Sequence, residues 1–166
     1  NYRRLGIGHK MFDFIKELAV KIKDYPSLFY IGKGMDHLVN LESSLKMKEV
    51  SYIHSEAFYS GELKHGSIAL ISKDSFVLGL ISNLNNLDSF MNNIKEVDAR
   101  ESKYFLVSTS CNDSDFIFDC PNEYFSPICI SSFYQLLSYY TALFKGLDID
   151  KPRNLAKSCT VKTIAI

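Results

Sequence analysis

The sequence has no surplus of either charge, no long apolar run and no paired cysteines, and each absence removes a class of protein. Lys+Arg and Asp+Glu both number 19, so the formal net charge is zero. A nucleic-acid binder working through a basic face needs an excess that is missing here, and nothing favours an anionic membrane surface. No apolar stretch reaches the roughly 20 residues of a membrane span. The opening NYRRLGIGHK lacks the apolar stretch of a secretory leader. Cys111, Cys120, Cys129 and Cys159 show no CxxC spacing, which leaves neither a zinc knuckle nor a thiol redox motif. Free thiols of this kind suit a reducing cytoplasm and act as small core residues. His9, His37 and His54 have no ligand spacing, so no metal site is expected. Gly32-Lys33-Gly34 lacks the third glycine of a dinucleotide fingerprint and the Gly-Lys-Ser/Thr of a P-loop, and reads as a tight turn. There is no internal repeat and no low-complexity segment.

What is present is a chain of 166 residues, 46% of them hydrophobic, enough for one domain with a proper core. Residues 9–23 form an amphipathic helix with a stripe of Met11, Phe12, Ile15, Leu18, Ala19 and Ile22, ending at Tyr25-Pro26. Ser27–Ile31 reads as a buried strand running into the Gly32–Gly34 turn. Ser75–Ile81 is a continuous apolar strand, as in a parallel sheet covered on both faces. Asn86–Arg100 is a helix with Leu87, Phe90, Met91, Ile94 and Val97 inward. Lys103–Val107 and Phe116–Phe118 are further strands, and Phe125–Phe144 is a long, largely apolar helix closed by Gly146. The alternation predicts a three-layer α/β (αβα) domain with a mainly parallel, doubly wound, flavodoxin-like sheet. The domain is read as residues 1–166, with a lead-in helix at 9–23, a core at 27–146 and a tail at 147–166.

The densest run of reactive side chains lies between Asn40 and Ile71. A helix from about Asp36, a candidate N-cap, to Ile53 puts Glu42, Lys46 and Glu49 on one face at i, i+4 and i+7. Leu38, Leu41, Leu45 and Tyr52 flank that face on one side, and Val39, Val50 and Ile53 on the other. Asn40, Ser43, Ser44, Met47 and Ser51 fall on the back. The charges are therefore expected inside the apolar arc, where they must pair or shift their pKa values. Such a cluster is either a structural ion network or a catalytic site. Ser55–Gly66 reads as a loop with one helical turn, with His65 between Lys64 and Gly66.

Three segments carry a resemblance: Leu41-Glu42 with KMKEVSYIH at 46–54, GELKHG at 61–66, and DKPRNLAKS at 150–158. Together they resemble the second sugar-isomerase (SIS) domain of the glutamine–fructose-6-phosphate aminotransferases, over nearly the whole chain. The resemblance implies conversion of fructose 6-phosphate and glutamine-derived ammonia to glucosamine 6-phosphate, without a cofactor, in the cytoplasm. It implies that Glu49 is the base moving a proton between C1 and C2, that Lys157 forms a Schiff base with the sugar carbonyl, and that His65 opens the ring from a neighbouring subunit of a homodimer. Glu42, Lys46 and Arg153 line or brace the site. It also implies partners within a longer polypeptide, a glutaminase domain and a first SIS domain that grips the sugar phosphate, so the isolated chain is expected to lack synthase activity. Ser67 replaces the family's proline after HisGly, Lys33 replaces an arginine, and LysThrIleAlaIle extends the usual end. A stand-alone phosphosugar isomerase and a non-catalytic phosphosugar-binding or dimerising SIS module are the rival readings.

Overall fold

The computed structural model describes residues 7–109, 111, 113–118, 120 and 125–154, with side chains from residue 11 onward. In chain order the elements are α1 (Ile7–Ile22), β1 (Ser27–Gly32), α2 (Met35–Ser51), β2 (His54–Tyr59), β3 (Ser75–Ile81), α3 (Leu87–Asp98), β4 (Lys103–Ser108), β5 (Phe116–Ile117) and α4 (Ser126–Phe144). Short 3₁₀ turns span Ser60–His65, Ser67–Leu70 and Leu84–Asn86.

The strands pair in the order β2-β1-β3-β4-β5, and every pair is parallel. This is the flavodoxin-like order, with its switch point between β1 and β3. The central β3 is buried at each of its seven positions, as its unbroken apolar run requires. Side chains alternate across the sheet. Leu28 and Tyr30 join a core with α1, α2 and α4, including Ile15, Met47, Phe133 and Leu137. Phe29 and Ile31 join the opposite core with Phe90, Ile94 and Val97 of α3. Two cores on one sheet make the expected three layers. The close packing shows at Gly79 in β3, where a Cβ would stand 2.7 Å from Leu106 Cδ2 and 3.0 Å from Phe90 Cζ.

Three expectations need correction. The segment read as a loop from Ser55 contains the edge strand β2. Its polar start, His54-Ser55-Glu56, hides the pattern, because an edge strand pairs on one side only and stays partly solvated; Ser55 alone of these three is buried. Asp36 is not an N-cap. Gly34, with φ +62°, opens α2 without any side-chain cap, and Asp36 lies buried in the first turn. Third, α2 is turned the other way round. Asn40, Ser43, Ser44, Met47 and Ser51, expected on the back, are its buried side. Leu38, Leu41 and Leu45 are 56%, 47% and 43% exposed.

The reason lies in what α2 packs against. It is wedged against β1, β2 and α4, and small side chains let those backbones approach. Their hydroxyls bring their own partners: Ser43 Oγ donates to Val39 O (2.7 Å), Ser51 Oγ to Met47 O (2.7 Å) and Ser55 Oγ to Ser44 O (2.8 Å). A serine bonded back to its own helix behaves as a small, nearly satisfied core residue. No helix of the described residues is long and apolar enough to cross a membrane.

Candidate active site on the outer face of helix α2

The reversal of α2 places Glu42, Lys46 and Glu49 at the surface rather than against the core. Lys46 Nζ stands 2.8 Å from Glu49 Oε2 and 3.5 Å from Glu42 Oε1. The three are graded in exposure: the side chains of Glu42, Lys46 and Glu49 are 48%, 35% and 27% accessible. Glu49, nearest the end of the helix, is the most sheltered. The hydrogen bond that Lys46 donates to Glu49 raises the Lys46 pKa; partial desolvation works against it, and the charges of Glu49 and Glu42 add to the rise. Lys46 is therefore a firm cation clamped between two carboxylates. The exposed Leu38, Leu41 and Leu45 run beside this cluster.

The tail arrives at the same end of the helix. Tyr52 terminates α2 in the left-handed conformation, with φ +58°. The backbone N–H of Arg153 donates to the Tyr52 hydroxyl at 2.8 Å, and the Arg153 guanidinium stands 4.1 Å from the centre of the Tyr52 ring. So four of the six sequence-predicted residues, Glu42, Lys46, Glu49 and Arg153, lie along α2 from its middle to its C-terminal cap. Lys157 lies outside the described residues.

His65 is not brought to them. It is exposed, at the end of the 3₁₀ turn that follows β2. Glu49 lies at the end of α2, where β2 begins, so the length of β2 separates the two. Six residues at roughly 3.3 Å each give β2 a length on the order of 20 Å. Among the described residues no hydrogen bond or ion pair links His65 to the cluster.

Two features escaped the sequence reading. Helical spacing places Tyr52 only on the flank of the charged face, and its partner is 101 positions away, a link that no local pattern carries. The other is a clasp at the switch point. Asp36 Oδ2 accepts from the Ser82 N–H (2.9 Å) and Asp36 Oδ1 from the Ser82 hydroxyl (2.5 Å). Burial raises the Asp36 pKa, and the two bonds from Ser82 offset part of that rise. Thr109 Oγ1 donates to Ser82 O at 3.1 Å, so the ends of β3 and β4 and the start of α2 are tied together. Open α/β sheets usually hold ligands in this crevice; here the carboxylate and the donors facing it are already paired. A shallow cleft of about 290 Å³ lined by Lys21, Asp24, Tyr25, Pro26, Lys73 and Asp74 lies at the other end of the strands, where β1 and β3 begin. It lies at the opposite end of the strands from the Asp36–Ser82 clasp, and none of the motif residues lines it. Among the described residues no three His, Cys, Asp or Glu side chains converge as a metal site would need.

Comparison with known proteins decides the family. Residues 21–143 match the family model described as SIS domain. The chain belongs to the SIS domain family. Among curated relatives, this SIS domain is 49% identical over 140 residues to a glutamine–fructose-6-phosphate aminotransferase (isomerizing) of Lactiplantibacillus plantarum, covering 82% of this chain and 23% of the relative. It is 44% identical over 165 residues to the enzyme of that name from Clostridium perfringens, covering 92% and 27%. A solved structure, the C-terminal domain of glucosamine-fructose-6-phosphate aminotransferase from Francisella tularensis, superposes with a TM-score of 0.78 at 32% identity, covering 86% of this chain and 42% of that one. The chain thus spans about a quarter of the length of the curated relatives it matches.

Proposed function

We propose that this SIS domain is part of the sugar-isomerising half of a glutamine–fructose-6-phosphate aminotransferase, acting in the cytoplasm. Glu49 is the base that moves a proton between C1 and C2 of the sugar, and Lys46 and Glu42 fix its position. Lys157 supplies the amine that condenses with the C2 carbonyl of fructose 6-phosphate, releasing water. His65 opens the sugar ring in the site of a neighbouring subunit, and Arg153 braces the tail. The sugar phosphate is held by another SIS domain of the longer polypeptide, and ammonia comes from its glutaminase domain.

The observation that carries the reading is the meeting of the tail with the end of α2. Arg153 rests on Tyr52, three residues beyond Glu49, and Lys157 follows four residues later, at most about 14 Å of chain away. The amine and the base can then share one substrate. A proton shift between adjacent carbons needs one base held beside both, and Glu49 is sheltered, paired and still accessible. The exposed leucines beside the cluster support a site whose second wall comes from another SIS unit. The separation of His65 from Glu49 along β2 fits a histidine that works across a subunit interface.

The test is borohydride reduction of the full-length protein in the presence of fructose 6-phosphate, followed by peptide mass analysis. A sugar adduct on Lys157 is expected. Its absence, with substrate bound, would favour a non-catalytic phosphosugar-binding module. Turnover of glutamine and fructose 6-phosphate by residues 1–166 alone would show that the other domains are not needed.

A further inference from the structure

The end of α2 is finished by a residue that suits the backbone poorly. Tyr52 adopts φ +58°, a conformation that glycine takes freely and a tyrosine takes at a cost. Strain of this sort persists where the side chain has a use. Here the side chain makes two different contacts with one residue of the tail. Its hydroxyl accepts the Arg153 N–H at 2.8 Å, and its ring lies 4.1 Å from the Arg153 guanidinium. The first contact fixes the tail's backbone; the second, a cation–π contact, fixes the direction of the Arg153 side chain.

The tail is also shaped before it arrives. Gly146, at φ +70°, ends α4, and the Leu147 N–H bonds back to Ala142 O at 3.1 Å. Asp148 Oδ1 then accepts from the N–H groups of Asp150 (3.1 Å) and Lys151 (3.2 Å). This closes an Asx-type turn that aims the next residues at Tyr52. A preformed turn followed by a two-point contact describes a seat.

We propose that Tyr52 is a positioning residue that seats the C-terminal segment on the end of α2, beside Glu49. The seat stands on this geometry. What it achieves, delivery of Lys157 to a sugar carbonyl, rests on the function proposed above. Tyr52 touches no reacting atom in this scheme; it sets where the chain four residues before Lys157 is held.

The experiment compares wild type with Tyr52→Phe, Tyr52→Leu and Tyr52→Gly in the full-length protein. It reads hydrogen exchange of the peptide spanning residues 150–157, the thermal midpoint, and the rate of borohydride trapping by fructose 6-phosphate. Removing the hydroxyl in Tyr52→Phe is expected to raise exchange at the Arg153 amide about fivefold, the size of one ordinary hydrogen bond. Tyr52→Leu, which loses the ring contact as well, is expected to raise it further, and to slow trapping more than Tyr52→Phe does. Tyr52→Gly is the decisive variant. If Tyr52 were only a helix cap, glycine would serve as well or better, leaving tail exchange and trapping unchanged. The seat predicts fast exchange and slow trapping with the thermal midpoint held. Unchanged tail exchange in Leu and Gly variants overturns the proposal. Raised exchange in the variants with no trapping even in wild type upholds the seat and instead removes the Schiff-base reading.

Discussion

The two ends of α2 engage their polar groups differently. At the N-terminal end, Asp36 is buried and both of its oxygens are engaged by Ser82. At the C-terminal end, Lys46 and Glu49 are paired but still partly exposed, and Tyr52 receives the tail. The ends are 13 residues apart from Asp36 to Glu49, or about 20 Å along the helix axis. The N-terminal end is where a flavodoxin-like sheet ordinarily offers a ligand crevice; there Asp36 is satisfied by Ser82, while the buried His37 Nδ1 and the Asn40 side-chain amide have no hydrogen-bond partner among the described residues. The Glu42–Lys46–Glu49 cluster extends toward the other end, on a face that the chain does not bury. Asp36 is thus closed off by an amide and a hydroxyl of its own chain, whereas the Lys46–Glu49 pair stays accessible at the end of the helix that Arg153 approaches.

The contrast makes predictions of decreasing size. Glu49→Gln keeps the shape of the side chain and removes the base. Isomerisation of fructose 6-phosphate by the full-length enzyme should fall by roughly 10²–10⁴-fold, with the circular dichroism spectrum unchanged; retention of activity would place the base elsewhere. The next contrast is between the two faces of the helix. Ser43 is 3% exposed, so Ser43→Leu should overpack the α2 contact and lower stability by about 1–3 kcal/mol in urea unfolding. Leu41→Ser on the outer face should change it by less than about 0.5 kcal/mol. A larger loss for Leu41→Ser than for Ser43→Leu would mean that α2 is oriented as its hydrophobic pattern suggests rather than as described.

Smaller effects come from the charges. Lys46→Met should cost only about 0.5 kcal/mol near neutrality, because the bridges are partly solvated and screened. The Lys46 pKa is raised in the folded protein, so its contribution is complete below the ordinary lysine value, about 10.4. It disappears as pH rises through the higher folded value, and wild type and variant should converge there. At the quiet end, the Asp36 pKa is also raised, by burial. Its contribution to stability is thus largest below the ordinary aspartate value, about 3.9, and is lost as pH climbs through the folded value. Asp36→Asn should change stability at pH 7 by less than about 1 kcal/mol and flatten the acid limb of a stability profile between pH 3 and 7. A loss of several kcal/mol at pH 7 would show that the ionised carboxylate, not its shape, holds the switch point.

Much of this was legible beforehand. The apolar runs at 27–31 and 75–81 announced buried parallel strands, and the stripe of α3 pointed inward as read; on α1 Ile15, Leu18, Ala19 and Ile22 did so, but Phe14 rather than Phe12 packs into the core. Glu42, Lys46 and Glu49 share a face because their spacing along α2 grouped them; Arg153 joins them only through its contact with Tyr52. The failures share one cause. Periodicity shows which residues share a face but not what the face meets. On α2 the leucines and the serines each define a face, and the leucine face looked like the core. The serines won because α4 and the sheet approach closely there and their hydroxyls bond to backbone carbonyls. β2 was missed for a related reason: an edge strand with a polar start resembles a loop until its neighbour is known.

The amino-acid sequence alone determined the α/β class, the main elements and the grouping of Glu42, Lys46 and Glu49, because local spacing and apolar runs are properties of neighbours in the chain. Only the tertiary structure decided which face of α2 is buried, that Asp36 closes on Ser82, and that Arg153 comes to rest on Tyr52. Those outcomes depend on how closely distant backbones pack, and on which polar groups find partners 46 or 101 positions away.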